Sequence, residues 1–192
     1  GGKTIKELRV GWECYGNLND AKDNVILVPH HFSANSHVAG KYLDNDLLPG
    51  YWDSIIGPGK AIDTDRYFVI SVDSLVNMNS KDGITVTTGP ASINPDTGKP
   101  YALSFPVVTI RDFVRVQKAL LDSLGIKQLV ASAGVSMGAL QSYEWSAAYP
   151  DMVPRVIAVN GAPTQKPYGI AGLETWIDAI KVDQNWNNGN YY

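Results

Sequence analysis

The amino-acid sequence predicts an α/β fold built on a mostly parallel, doubly wound sheet. Short, continuous apolar runs at Asn24–His30 (NVILVPH) and Tyr67–Val72 (YFVISV) have the character of strands buried on both faces. Between residues 109 and 150 an amphipathic helical pattern is followed by a strand, a tight turn and a second helix. Because parallel neighbours need a crossover connection, helices are expected on both faces of the sheet.

The elements follow in order. From Ile5 to Tyr15 the apolar residues Ile5, Leu8, Val10, Trp12 and Cys14 stand among polar partners, and Gly16-Asn17 is a turn signal, so a strand is expected. Thr109–Leu124 places apolar side chains at Ile110, Phe113, Val114, Leu120, Leu121 and Leu124, with Thr109 as candidate N-cap and Gly125 just past the end. Gln128–Ala133 (QLVASA) is expected as a strand, Gly134–Gly138 as a turn, and Ala139 to about Tyr149 as a helix ended by Pro150. Pro154–Val159 (PRVIAV) is a further strand.

Two stretches break this rhythm. Ser74–Pro106 is rich in Gly, Pro, Asn, Ser and Thr and longer than a passive loop, which fits a structured excursion near a site or a surface insertion. Beyond Asn160, Gly161–Tyr168 is loop-like, Ile170–Val182 has helical character, and Gln184–Tyr192 is Asn-rich and aromatic without a closing strand.

At 192 residues the chain fits one domain. Sixteen basic against nineteen acidic residues give a net charge of −3 without a Lys/Arg block, so nucleic acid is not an expected partner. A membrane is not expected either, since no segment approaches the roughly 18 apolar residues of a span. Cys14 is the only cysteine, which excludes an intrachain disulfide within these residues and a Cys-based metal framework. The chain opens at Gly1-Gly2 without a methionine; the compartment expected by default is cytoplasmic, with export left open.

Chemistry concentrates at Gly134-Val135-Ser136-Met137-Gly138, a GxSxG between an expected strand and an expected helix. That context makes it a nucleophile elbow: glycines permit the sharp turn, Ser136 sits at its tip, and the helix N-terminus supplies unpaired N–H groups for developing negative charge. An acyl oxyanion needs two donors. Met137, just after the serine, offers one backbone amide. Phe32 offers the other, because His30-His31-Phe32-Ser33-Ala34 occupies the loop after an earlier strand. His30, His31 and His37 are all the histidines. No third ligand type stands at a recognisable spacing, so no metal is expected, and His30 and His31 are expected to structure the oxyanion loop. The role of His37 is left open.

Together, His30–Gly40 (HHFSANSHVAG), Tyr51–Ile70 (YWDSIIGPGKAIDTDRYFVI), Thr88–Arg111 (TGPASINPDTGKPYALSFPVVTIR) and Gly134–Pro150 (GVSMGALQSYEWSAAYP) resemble the homoserine O-acetyltransferase family of α/β-hydrolase-fold acyltransferases. The resemblance implies an acetyl group passing from acetyl-CoA, as a donor substrate rather than a bound cofactor, through a Ser136 acyl-enzyme to homoserine, a methionine-biosynthesis reaction. It implies that the amides of Phe32 and Met137 form the oxyanion hole. Family members are much longer, and their catalytic Asp and His lie beyond a helical cap. On that pattern residues 1–165 are the N-terminal part of the core and residues 166–192 the start of the cap region. No histidine follows Ser136, whereas the fold's triad runs Ser, Asp or Glu, His. Asp151, Asp178 and Asp183 match no triad position, so neither the triad Asp nor the His is expected in this chain. Expected partners are small molecules: acetyl-CoA with homoserine or another alcohol. A homodimer and a missing C-terminal half are left open. A serine esterase of the same fold is the alternative, as is a fragment inactive without its other half.

Overall fold

The computed structural model describes residues 3–190, so the opening Gly1-Gly2 and the final Tyr191-Tyr192 lie outside the described residues. The chain folds on one five-stranded sheet. Its strands are β1 (Trp12–Tyr15), β2 (Val25–Leu27), β5 (Phe68–Val72), β8 (Ala131–Val135) and β9 (Val156–Val159), in the spatial order β1-β5-β2-β8-β9. Short pairs stand apart from it: β3 (Ile56–Gly57) with β4 (Ile62–Asp63), and β6 (Ile93–Asn94) with β7 (Lys99–Pro100).

The mostly parallel sheet is as expected from the apolar runs: β2 is parallel to β5 and to β8, and β8 to β9. β1 is the antiparallel edge, with Trp12 opposite Val72, and its half-exposed position explains its alternating pattern. β2 and β5 are buried throughout. β8 begins at Ala131 rather than Gln128 and ends two residues later than the sequence suggests, because Gly134 and Val135 continue the ladder with Ala158 and Val159.

Helix α1 (Ile110–Ser123) begins where expected, since the Thr109 amide and hydroxyl both donate to Asp112 Oδ2, at 2.8 and 2.9 Å. Helix α2 (Met137–Ala148) follows β8 after the single residue Ser136. Both helices cover the same face. Val114 and Leu121 of α1 and Trp145 of α2 pack on Val25, Leu27 and Ile70, and Arg111 pairs with Glu144 across the helices.

The opposite face departs from the expected helical layer. Val38, Ala39 and Ile56, flanked by Tyr51 and Trp52, cover Ile26, Val28, Val69 and Ala133. The segment between His37 and Asp65 is crowded with Gly, Pro, Asp and Asn, whose side chains bond nearby backbone in place of a helix. Asp46 accepts the amides of Tyr42 and Leu43, Asp53 that of Gly40, and Asp63 those of Gly59 and Asp65. Consecutive turns result.

Helix α3 (Pro167–Lys181), which starts three residues before the expected one, has no buried residue among those described. No helix in the described residues is long and apolar enough to cross a membrane.

Candidate active site

Ser136 joins β8 to α2 in a conformation that L-residues rarely adopt, φ 55° and ψ −119°. Its amide donates to Val159 O at 2.9 Å, which pins the turn to the neighbouring strand, and its side chain is exposed. The flanking glycines have a steric reason. A Cβ on Gly134 would lie 2.3 Å from Gly138 O, and one on Gly138 would lie 2.1 Å from Pro29 O. Only hydrogens fit where α2, the elbow and the end of β2 meet.

The serine opens on a cavity of about 990 Å³. His31 and Phe32 form one wall, Val76–Met78 and Gly89–Ala91 another, and Trp176 and Ile180 of α3 a third. The excursion Ser74–Pro106 is therefore a wall of the site rather than a detached surface insertion. Its asparagines hold the loop after β2: Asn77 Nδ2 donates to Ala34 O at 2.9 Å and Asn79 Nδ2 to Ser33 O at 3.1 Å.

Phe32 shares the cavity with Ser136, its ring tilted against Trp176 at 6.4 Å between centroids. Met137 is the first residue of α2, where backbone N–H groups have no partner inside the helix. Among the described residues no acceptor engages the amide of Phe32 or of Met137.

Two of the three histidines, His30 and His37, have both ring nitrogens engaged. His30 is wholly buried, and burial holds its ring below the usual histidine pKa. Its Nε2 accepts the Ser74 amide at 2.9 Å, so Nδ1 carries the proton and donates to His31 O at 2.7 Å. His31 packs edge-on against Tyr51, meets Ser33 Oγ at 3.2 Å, and is also lowered by burial. His37, stacked on Tyr42, lies between Glu13 Oε2 and Gly40 O, 3.0 Å from each. Burial pushes the Glu13 carboxyl upward, but hydrogen bonds from Tyr42, Tyr15 and His37 together hold it below the ordinary value. No histidine bonds Ser136 Oγ among the described residues. Nor, among them, does any group of three or more His, Cys, Asp or Glu side chains gather to hold a metal ion.

Several contributors escape motif analysis. Asp73 is buried, accepting the amides of Ser36 at 2.7 Å and Val86 at 3.0 Å, which ties the loop after β2 to the excursion. Gln117 and Gln141 are buried in α1 and α2. Gln117 had a visible signal, since it interrupts the apolar stripe of Phe113, Val114 and Leu121 at helical spacing.

Residues 25–192 match the family model described as alpha/beta hydrolase fold. All of the chain aligns with the homoserine O-acetyltransferase of Methanococcoides burtonii at 48% identity, covering 38% of that protein. Among solved structures it is similar to esterase E22, with 63% identity, a TM-score of 0.97, and coverage of 100% of this chain and 52% of that one. It is likewise similar to the homoserine O-acetyltransferase of Bacillus anthracis, with 44% identity, a TM-score of 0.95, and coverage of 98% and 52%. The chain thus spans about half, or less, of the length of these relatives.

Proposed function

Because this chain belongs to the alpha/beta hydrolase fold family, we propose that it supplies the nucleophile and oxyanion hole of a serine esterase, with Ser136 forming the acyl-enzyme. The observation that carries this is Ser136 at a strained strand-to-helix junction, side chain exposed, opening on a cavity lined largely by apolar residues. Its similarity to esterase E22 supports the same function.

In the proposed reaction Ser136 Oγ bonds to the acyl carbon of an ester while its proton passes to a base. The carbonyl oxygen becomes an oxyanion that accepts hydrogen bonds from the Phe32 and Met137 amides. The C–O bond to the alcohol breaks, the base returns the proton to the leaving oxygen, and water then releases the acid from the serine. The base is proposed to come from outside residues 1–192, since His30 and His37 have both ring nitrogens engaged and His31, which lines the cavity with only its Nδ1 bonded among the described residues, makes no hydrogen bond to Ser136. Residues 1–165 are taken as the core around the elbow and residues 166–192 as the start of a cap, with α3 already contributing Trp176 and Ile180 to the cavity wall.

Acetyl transfer from acetyl-CoA to homoserine or another alcohol is the second function supported, by the similarity to the two acetyltransferases. It uses the same acyl-serine and replaces water with an alcohol.

The test uses the full-length polypeptide that carries these residues. Incubation with an acetyl ester should add one acetyl mass at Ser136, and Ser136→Ala should lose that adduct and roughly 10⁴- to 10⁶-fold in kcat. Free acetate as the main product, with homoserine present, supports the esterase; O-acetylhomoserine supports transfer. Unchanged labelling in Ser136→Ala refutes both.

A further inference from the structure

A buried line of hydrogen bonds runs from the helical layer to the loop after β2. Trp145 and Gln141 of α2, Gln117 of α1 and His30 are each at most 1% exposed. Trp145 Nε1 donates to Gln117 Oε1 at 2.7 Å, Gln117 Nε2 to Gln141 Oε1 at 2.6 Å, and Gln141 Nε2 to His30 O at 3.2 Å. The direction of the line is fixed by chemistry. An indole N–H is a donor only, so Gln117 must turn its oxygen to Trp145 and its NH₂ to Gln141. Gln141 must then accept with its oxygen and present its NH₂ to carbonyls. Besides His30 O, that NH₂ lies 3.4 Å from Met137 O.

The two carbonyls beside Gln141 Nε2 belong to the two segments that carry the oxyanion donors. On one side stands Met137. On the other, the Gln141 bond holds the His30–His31 peptide, and the His30 ring holds the next one by donating to His31 O, which also accepts the Ala34 amide at 3.1 Å. In a planar trans peptide the N–H points opposite to the C=O, so anchoring His31 O from beneath aims the Phe32 N–H away from the His30 ring.

We propose that Gln141 is a positioning residue for the oxyanion hole: its side-chain amide, oriented by Gln117 and Trp145, clamps the loop bearing Phe32 to the helix that begins at Met137. This rests on Ser136 as nucleophile and on these two amides as donors. An apolar side chain at position 141 would fill the space but let the loop and helix drift apart, and displacements near 1 Å can cost about 10²-fold in rate.

The experiment compares wild type, Gln141→Met, Gln141→Glu and Gln117→Leu in the full-length protein. It reads kcat and KM for a small acetyl ester from pH 5.5 to 9, together with labelling of Ser136 by a fluorophosphonate and thermal unfolding. Gln141→Met is expected to lower kcat roughly 10- to 100-fold with KM within about threefold of wild type, and the ratio to wild type should be independent of pH. Gln141→Glu has no donor for His30 O when ionised but regains an O–H donor when protonated, so its kcat relative to wild type should rise as pH falls. Gln117→Leu, which releases the Gln141 amide from a distance, should lower kcat in the same direction and reads the clamp if the position 141 variants do not fold.

A folded Gln141→Met or Gln117→Leu with kcat within twofold of wild type overturns the proposal. So does a Gln141→Glu ratio that is flat with pH, because a structural role alone moves only the unfolding temperature. Absence of Ser136 labelling in wild type would instead overturn the proposed nucleophile, which separates the two failures.

Discussion

Gly138→Ala tests the geometry of the elbow most directly. The added Cβ would lie 2.1 Å from the Pro29 carbonyl oxygen, 3.0 Å from its carbon and 3.3 Å from the His30 carbonyl carbon, whereas ordinary contacts begin at 3.4 Å. Every atom in the way is backbone, so no rotamer relieves the clash, and α2 must part from the end of β2 by about 1 Å. Overpacking of this kind costs about 1–3 kcal/mol of stability. Under the proposed chemistry the same displacement separates Met137 from Phe32, and a 1 Å error there can cost about 10²-fold in kcat. Gly172→Ala is the control, since its Cβ meets nothing within 4 Å in the exposed helix α3, and relief of a helical glycine is worth up to about 1 kcal/mol in the stabilising direction. Ester hydrolysis and thermal unfolding of both full-length variants give the answer. The reasoning is refuted if Gly138→Ala keeps wild-type kcat and an unshifted unfolding temperature.

Glu13→Gln is expected to destabilise the protein by about 1–2 kcal/mol at neutral pH, because a carboxylate accepting from Tyr15, Tyr42 and His37 becomes an amide with one acceptor oxygen. The folded-state pKa of Glu13 lies below its ordinary 4.5. Its contribution is therefore complete above about pH 4.5 and is lost as pH falls through the folded value, so denaturant curves of wild type and variant should converge in acid; a gap that widens there would contradict the assignment. A purified polypeptide of residues 1–192 should show no more than the residual enhancement of a broken triad, roughly 10³- to 10⁴-fold over water, because none of its histidines bonds Ser136 among the described residues. Turnover near that of the full-length protein would place a working base within these residues.

Much of the fold could be read from local pattern, and the limits have a physical origin. The runs at 24–30 and 67–72 mark central strands because burial on two faces leaves no room for polar alternation. GxSxG announces the elbow because each glycine occupies a point where a Cβ would strike backbone. The placement of both helices on one face is not local. It depends on the segment between residues 38 and 62 taking the other face as turns, and its Gly, Pro and Asp content, though visible, does not say which surface those turns will cover. The glutamine line is hidden for the same reason. Gln141 and its acceptor at His30 are 111 residues apart, so a sequence shows two buried-face amides at most, never that they complete one another. Asp73, at the end of a strand, looks like an ordinary solvated carboxylate until Ser36 and Val86 are seen to converge on it.

That carboxylate separates the two faces in how they tolerate change. On the helical side, one apolar residue can replace another of similar volume and the layer persists through its own backbone ladder. On the turn-built side, the Asp73 side chain binds the amides of Ser36 and Val86 while its own amide donates to Gly11 O at 2.9 Å, so one residue holds three stretches of chain in register. None of the three can drift alone. Tolerated substitutions at residues 11, 36, 73 and 86 should consequently arrive as correlated sets, and a deep mutational scan read by stability should find Asp73 among its most intolerant polar positions.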